Sequence, residues 1–257
     1  MKSIYLFGML LSINFSSQAQ LYISPGATIH LTDNALVTLQ NSDMVNDGTI
    51  SVFTTGRFIF NGSGNNQISG TMIPSFAELE IAKTGAGLLT LGTDIFVAGK
   101  IVFTSNLIEM NNHNIELGPA GLLEGENENS RFTGTGGGTV FISTSLNAPI
   151  SANPGNLGAV ITSSQDLGRI IIRRGHQSQV NSSSTGSSIY RYYDITPTNN
   201  TGLNATLRIN YFDAEKNGLD EKEFELFKSD DNTHWADVGQ DARSTTLNYA
   251  EKSGINS

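Results

Sequence analysis

The residues that could carry out catalysis or hold a metal are few and scattered along the chain. The four histidines are far apart in sequence: His30, His113, His176 and His234. A zinc site needs histidine or cysteine ligands at short, regular spacings, and the chain has no cysteine. It also has no Gly-x-Ser-x-Gly segment, which would place a nucleophilic serine on a sharp turn. The sequence therefore predicts no catalytic residue, no metal and no cofactor.

Two segments could be interpreted as anion sites. His176 follows Arg173 and Arg174, but such residues more often make structural contacts at the end of a strand. The glycine-rich run at 134–138 would need a strand before it and a helix after it to cradle a phosphate, and no helical periodicity follows. We predict structural contacts for His176 and a close-packed bend for the glycines.

Residues 213–218 match the start of an EF-hand calcium loop. Asp213, Glu215 and Asn217 offer oxygen ligands at alternate positions, and Gly218 would allow the turn. The closing position, which needs a bidentate glutamate, is Phe224, and the flanking residues are typical of strands. We therefore interpret this segment as a solvated acidic hairpin.

The segment from Ser229 to Trp235 is similar to the Asp-box hairpin of sialidase-like propellers. In that hairpin, serine and aspartate side chains hold a turn and a tryptophan packs beneath it. Here Thr233 replaces the usual glycine, and the loop is one residue short. The similarity implies a structural turn.

Aromatic side chains are the best candidates for ligand binding. Tyr190, Tyr192 and Trp235 form a possible ligand platform, because aromatic faces can stack on sugars. Strand alternation places Tyr190 and Tyr192 on one face and Tyr193 on the other, so part of this set must belong to the core. We favour core packing for this set and keep the ligand platform as the alternative.

A polysaccharide-degrading enzyme would need acidic or basic side chains gathered on one face. Between residues 26 and 117 the arginines and lysines are Arg57, Lys83 and Lys100, and the carboxylates are widely spread. Two carboxylates at the separation that glycosidases use would not be visible in the sequence. The sequence leaves this function open without indicating it.

The stretch from Gly26 to Leu117 consists of short apolar couplets separated by small polar residues. Most couplets have the spacing that places both side chains on one face of a strand. They recur every ~6 to ~10 residues, which leaves room for a strand and a bend but not for a helix. We favour a parallel coil of roughly 20 residues per turn over antiparallel hairpins, because the linkers lack hairpin turns. The couplets predicted to face the interior are Ile29/Leu31, Leu36/Leu39, Ile50/Val52, Phe58/Phe60, Leu79/Ile81, Leu88/Leu91, Ile95/Val97, Ile101/Phe103, Ile108/Met110 and Ile115/Leu117.

After Leu117 the rhythm loosens into an acidic loop at 124–128 and then, from Leu157, into longer strands. About seven strands separated by turns are typical of an antiparallel β-sandwich. The predicted strands are Gly158–Ser163, Gly168–Arg174, Ser188–Thr196, Ala205–Phe212, Glu223–Ser229, Trp235–Val238 and Thr245–Glu251. The sequence thus predicts an all-β protein, with a parallel β-solenoid at 20–151 followed by an antiparallel β-sandwich-like module at 152–257.

Residues 1–19 have the form of a secretory signal peptide. Lys2 gives a positive start, residues 4–15 are apolar, and Ser17-Gln18-Ala19 is a small-residue cleavage site. The alternative, a membrane anchor, would need about 20 apolar residues. We predict that the mature chain is secreted, extracellular or at the cell surface, without insertion into a membrane.

The charge and cysteine content narrow the choice of partners. The formal net charge is −9, which argues against binding to nucleic acid or to an anionic membrane. The absence of cysteine means that no disulfide can stabilise the fold, even though the chain is predicted to be exported.

Several segments of the second half carry a resemblance to a known class of proteins. They are Asn153–Gly158, Gly168–Ile170, Arg173–His176, Ile189–Pro197 and Leu207–Tyr211. They look like a segment recurrent in large secreted surface proteins of Bacteroidetes-type bacteria, which are cargo of the type IX secretion system. The resemblance implies β-solenoid regions joined to β-sandwich modules and a C-terminal sorting domain, and it names no activity.

Nothing resembling that sorting domain is present, which implies a fragment of a longer polypeptide with further domains downstream. In such a fragment, the strands at 205–212 and 245–251 would border an unpaired edge. We expect this module to be less stable than the solenoid.

Together these features predict a secreted cell-surface protein with a structural or adhesive role and no catalytic activity. A glycan-binding module of a larger extracellular protein is the first alternative. A polysaccharide-degrading β-solenoid is the second. The expected partner is an extracellular glycan or a surface protein.

Overall fold

The computed structural model describes residues 19–32, 34–51, 56–134, 136–182 and 186–257. Apart from Ala19, the predicted signal peptide lies outside these ranges. Regular structure in the described residues is β-strand, apart from short 3₁₀ turns at Pro154–Asn156, Asp213–Glu215 and Glu221–Glu223. The first fifteen strands are β1 (Ala19–Ile23), β2 (Thr28–His30), β3 (Leu36–Gln40), β4 (Ser42–Asn46), β5 (Thr49–Ser51), β6 (Arg57–Gly62), β7 (Asn66–Ser69), β8 (Ser75–Lys83), β9 (Leu89–Leu91), β10 (Ile95–Ser105), β11 (Ile108–Glu109), β12 (Ile115–Leu117), β13 (Leu122–Glu124), β14 (Phe132–Thr133) and β15 (Thr139–Asn147).

These strands wind into a parallel β-solenoid of about five turns. One face is a six-stranded sheet in the order β1-β4-β7-β9-β11-β14, and the opposite face contains β3, β6, β8, β10, β12 and β15 in that order. Leu21 pairs with Met44 and Met44 with Ile68, so these turns take 23 and 24 residues. The predicted parallel coil is confirmed.

The interior of the solenoid is a continuous column of apolar side chains, as most of the couplets predict. Both members of six couplets are buried: Phe58/Phe60, Leu79/Ile81, Ile95/Val97, Ile101/Phe103, Ile108/Met110 and Ile115/Leu117. Leu31, Leu39 and Ile50 are buried as well, and Ile29 is half-buried. The spacing of two therefore identifies the inward face of these strands correctly.

The inward-facing prediction is wrong for two couplets, because the two residues of each are three positions apart. Leu36 and Leu39 fall on opposite faces of β3, so Leu39 is buried while Leu36 is 65% exposed. Leu88 precedes β9 and is half-buried, and Leu89 takes the inward position beside Leu91. Val52, the partner predicted for Ile50, lies outside the described residues.

Polar side chains at the corners fasten each turn to the next. Each of them accepts a hydrogen bond from a backbone N–H 20 to 25 residues later. The acceptor and donor residues are Asn41 and Gly64, Asp43 and Gln67, Asp47 and Thr71, Asn65 and Leu88, Asp94 and Asn114, and Asn114 and Thr139. The linkers are rich in Asn and Asp because these side chains can bind backbone groups at bends.

In the described residues, eight further strands follow the solenoid. They are β16 (Ala159–Thr162), β17 (Asp166–Gly175), β18 (Tyr192–Pro197), β19 (Ala205–Asn210), β20 (Leu226–Lys228), β21 (Ala236–Gly239), β22 (Ala242–Ser244) and β23 (Tyr249–Ile255). Each of the seven predicted strands overlaps one of these, and only the short β22 was not predicted. The predicted fold class, a parallel β-solenoid followed by an antiparallel module, is confirmed.

The module continues the second sheet of the solenoid. β15 pairs antiparallel with β17, and β17 with β18, so one sheet of nine strands runs from β3 to β18, with β13 paired to β10 beside the main path. A second antiparallel sheet has the order β16-β19-β23-β22, and β20 and β21 form a separate hairpin. Ile161, Leu167, Ile170 and Leu203 belong to the same core cluster as the solenoid interior. The two regions therefore share a sheet and a core.

Gly138, at the end of the glycine run, shows why this bend needs glycine. Its φ is 93°, and a Cβ would lie 2.1 Å from the carbonyl oxygen of His113 on the preceding turn. Any larger residue would clash with that backbone. The close-packed bend predicted for this segment is confirmed at this position.

Candidate functional site

The three residues of the predicted ligand platform lie at or just before the starts of two strands, β18 and β21. Tyr192 begins β18, and its ring covers Gly175, where an added Cβ would be 2.1 Å from Tyr192 Cε1. Tyr190 precedes the strand, is 38% exposed, and donates its backbone N–H to the carbonyl oxygen of Glu215 (2.8 Å). Trp235 precedes β21 and is half-buried.

Tyr193 points to the face of β18 opposite Tyr192, as the alternation predicts. Its hydroxyl donates a hydrogen bond to the carbonyl oxygen of Leu157 (2.6 Å), and burial raises its pKa. Tyr193 is therefore partly buried and packs against the core.

Tyr192, Tyr193 and Trp235, but not Tyr190, border a cleft of about 880 Å³ in the module. The cleft lies between β18 and the second sheet, and its walls include Ile195, Leu207 and Leu226. This volume is within the range of ligand pockets, and most of the lining is apolar. The sequence did not predict a cleft, because its walls come from strands far apart in the chain.

Asp231 holds the turn between β20 and β21, as the Asp-box-like segment predicts. Its Oδ1 accepts hydrogen bonds from the backbone N–H groups of Thr233 and His234, both at 2.8 Å. The Ser229 hydroxyl donates to the same oxygen at 3.1 Å. These contacts are structural and bring Trp235 to the cleft.

The segment that matches an EF-hand start does not gather its oxygens around one point. Asp213 pairs with Lys216 (3.1 Å), while Glu215 turns into the interior. Asn217 donates through Nδ2 to the carbonyl oxygen of Ser188 (2.9 Å). Among the described residues, no group of three or more His, Cys, Asp or Glu is arranged to hold a metal ion.

Glu215 belongs to a buried ion pair, so the interpretation of this segment as fully solvated is wrong. Arg191 donates through Nη2 to Glu215 Oε1 (2.8 Å) and through Nη1 to the carbonyl oxygen of Asn210 (2.9 Å). Although burial raises the pKa of Glu215, the Arg191 guanidinium and His176 hold it at about 2. Glu215 Oε2 also accepts the backbone N–H of Phe212 (3.0 Å).

His176 is a buried structural residue. It is 3% exposed, its Nδ1 lies 3.5 Å from Glu215 Oε1, and its ring packs against Phe132 with centroids 5.8 Å apart. Burial lowers the pKa of His176 to about 4, opposed by Glu215. These contacts confirm the structural interpretation.

A second buried ion pair joins the solenoid to the module. Arg174 is 1% exposed and donates through Nη1 and Nη2 to the two oxygens of Glu126 at 2.9 and 2.7 Å. Its Nη1 also donates to the carbonyl oxygen of Leu157 (3.0 Å). A bidentate pair of this kind fixes both partners in orientation as well as in distance.

The acidic loop that contains Glu126 therefore connects the solenoid to the module. Glu128, two residues later, accepts the backbone N–H groups of Asp213 (2.8 Å) and Ala214 (2.9 Å) through its two carboxylate oxygens. This caps the start of the 3₁₀ turn at Asp213–Glu215. The only sequence signal for this role is the density of carboxylates in a short loop, which is equally typical of a solvated loop.

The outer face is the set of side chains of the nine-stranded sheet that point away from the core. One row across this face contains, in register, Phe96, Glu116, Phe141, Arg173 and Asp194. The Arg173 guanidinium lies 4.2 Å from the Phe141 ring centroid, and its Nε is 4.0 Å from Asp194 Oδ2. The row crosses from the solenoid strands into β17 and β18.

A second row of the outer face contains Leu36, Arg57, Glu78, Lys100 and Leu122 in register. Arg57 pairs with Glu78 and with Glu80, each at 2.8 Å, and Lys100 pairs with Glu124 at 3.0 Å. The carboxylates of Glu78, Glu80 and Glu124 lie close together here, but each forms an ion pair with an arginine or a lysine. The exposed leucines mark the two ends of the row.

No helix in the part of the chain that the structure describes is long and apolar enough to cross a bilayer. No protein-family model matches the chain, and neither a curated protein nor a solved structure is significantly similar to it. The fold and the side-chain geometry therefore carry the functional argument.

Proposed function

We propose that this chain is a secreted cell-surface protein with a structural or adhesive role and no catalytic activity, and that it contacts its target through the outer face. The observation that supports this best is the row from Phe96 to Asp194. It places two aromatic rings, one cation and two carboxylates side by side on one face of the sheet.

The geometry of this row suits an extended ligand better than a small molecule. Five neighbouring strands about 4.8 Å apart give the row a length of roughly 19 Å. The strands are held in place by the hydrogen bonds between turns and by the buried pair of Arg174 with Glu126. A stiff surface of this kind loses little conformational entropy on binding.

The test is binding of bead-immobilised full-length chain to panels of extracellular polysaccharides and matrix proteins. We expect Phe141→Ala to weaken the interaction about fivefold, because it removes a stacking surface worth about 1 kcal/mol. The matched control is Tyr22→Ala, which removes an aromatic residue that is 53% exposed on the six-stranded sheet. Equal binding by the two variants, or cleavage of a polysaccharide by the wild type, would contradict the proposal.

A glycan-binding role is the second candidate, and the cleft bordered by Tyr192 and Trp235 favours it. Tryptophan and tyrosine combine a large apolar face with a polar tip, which suits a sugar ring. On a glycan array, this role requires a defined signal that Trp235→Ala abolishes and Phe141→Ala preserves. The opposite pattern would assign the glycan to the outer face.

A further inference from the structure

Lys83, the last residue of β8, is buried in the solenoid, unlike Arg57 and Lys100. It is 0% exposed, and its Nζ donates to the carbonyl oxygen of Asn61 (2.9 Å) and to Asn66 Oδ1. Both of these partners are uncharged. A buried ammonium group with neutral partners is costly, and losing its proton removes that cost.

The surroundings of Lys83 disfavour the charged form of its side chain. Burial lowers the pKa of Lys83, and Asp43 opposes the shift. A lysine amine that has lost its proton in an apolar site is a nucleophile. The group that touches it therefore determines what it could react with.

That group is the side-chain amide of Asn66, which is 3% exposed at the start of β7. Its carbonyl oxygen is in direct contact with Lys83 Nζ. Its Nδ2 lies 3.5 Å from Asp43 Oδ1, and Asp43 is held in place by the backbone N–H of Gln67 (2.9 Å). An amine, a carboxamide and a carboxylate thus meet on β8, β7 and β4.

We propose that Lys83 and Asn66 form an intramolecular amide cross-link, with Asp43 transferring the proton. The neutral Nζ of Lys83 attacks Cγ of Asn66, and a C–N bond forms as the carbonyl π electrons move to Oδ1. Asp43 takes a proton from the attacking nitrogen and gives it to the former Nδ2. The carbonyl re-forms, the old C–N bond breaks, and ammonia leaves. The reaction needs no oxidant, reductant or co-reactant.

The cross-link would close a loop between residues 17 positions apart and tie the start of one turn to the end of its large-sheet strand. Such a bond restricts the unfolded chain in the same way as a disulfide. The chain has no cysteine with which to form a disulfide. This inference is independent of the proposed ligand.

Tryptic mass mapping of the folded wild-type chain tests the proposal directly. Trypsin cuts after Arg57, Lys83 and Lys100, so an unmodified chain yields peptides 58–83 and 84–100. We expect a single peptide 58–100, uncut after Lys83 and lighter than its sequence by one ammonia. Fragmentation should give no backbone ions between residues 66 and 83, because the cross-link holds both ends of that loop.

The variants separate the reacting groups from their neighbours. Lys83→Met, Asn66→Ala and Asp43→Ala should each abolish the mass loss, and Asn66→Asp should lose water in place of ammonia. The matched control is Asn65→Ala, which removes a hydrogen bond to Leu88 next to the site and should keep the cross-link. Circular dichroism checks that each variant is folded.

The wild-type result decides the question even if a variant does not fold. Normal cleavage after Lys83, with peptide 58–83 at its unmodified mass, would overturn the proposal. Ammonia loss mapped to Asn61–Gly62 in a peptide cut at Lys83 would overturn it too, because that pattern indicates a succinimide.

Discussion

Phe58→Ala should lower the free energy of unfolding by about 3–5 kcal/mol, the range for removing a buried phenylalanine ring. Phe58 lies on β6, is 1% exposed, and packs edge to face against Phe76 with ring centroids 5.1 Å apart. The turns on both sides are fastened by hydrogen bonds at their corners, so the cavity cannot close by local collapse. The full cost of the lost contacts therefore remains.

Urea denaturation of the two proteins measures this difference. The matched control is Leu36→Ala on the neighbouring strand β3, whose side chain is 65% exposed and should cost less than about 0.5 kcal/mol. Equal losses for the two variants would mean that Phe58 does not lie in a packed column.

Glu126→Ala should destabilise the protein by about 3–5 kcal/mol, because it leaves the Arg174 guanidinium buried without its carboxylate. Arg174 is 1% exposed, and its remaining described acceptor is the carbonyl oxygen of Leu157. The loss is larger than the value of the ion pair itself, since most of it is the cost of an uncompensated buried charge.

Glu124→Ala is the control, because this residue is on the same side of the solenoid and pairs with Lys100 while its side chain is 53% exposed. An exposed pair is worth at most about 1 kcal/mol. Replacing both buried partners with apolar residues, Glu126→Leu with Arg174→Met, should cost less than Glu126→Ala alone. A double variant that is less stable than Glu126→Ala would show that the pair itself, and not the stranded charge, carries the stability.

The solenoid was predictable because its rule is local. A side chain faces inward when it lies two positions from another inward residue on the same strand, and Phe58 with Phe60 follows this rule. The rule does not apply to Leu36 and Leu39, which are three positions apart, and Leu36 points outward in the structure. The Tyr192 and Tyr193 alternation was predictable for the same reason.

The charged contacts were not predictable, because their partners are distant in sequence. Glu126 and Arg174 are 48 positions apart, and no sequence pattern links the two. From the sequence, residues 124–128 are therefore predictable only as an acidic loop, and Glu215 only as part of a solvated hairpin. The sequence does not distinguish Lys83 from Lys100, because only the fold places Asn66 and Asp43 beside Lys83.

The expectation of an unpaired edge at 205–212 and 245–251 is wrong. β19 lies between β16 and β23, and β23 lies between β19 and β22. A lower stability of this sheet stays a prediction, with a different physical reason: part of one of its faces borders the 880 Å³ cleft.

Native-state hydrogen exchange tests the central claim, which is that the solenoid sheet continues through β17 into the module. Amides of β17 should exchange as slowly as those of β10 and β12, because all three are interior strands of one sheet on one core. Amides of β19 and β23 should exchange faster. If β17 instead exchanged together with β19 and β23, well ahead of β10 and β12, the module would be a separate unit and the continuous-sheet account would be contradicted.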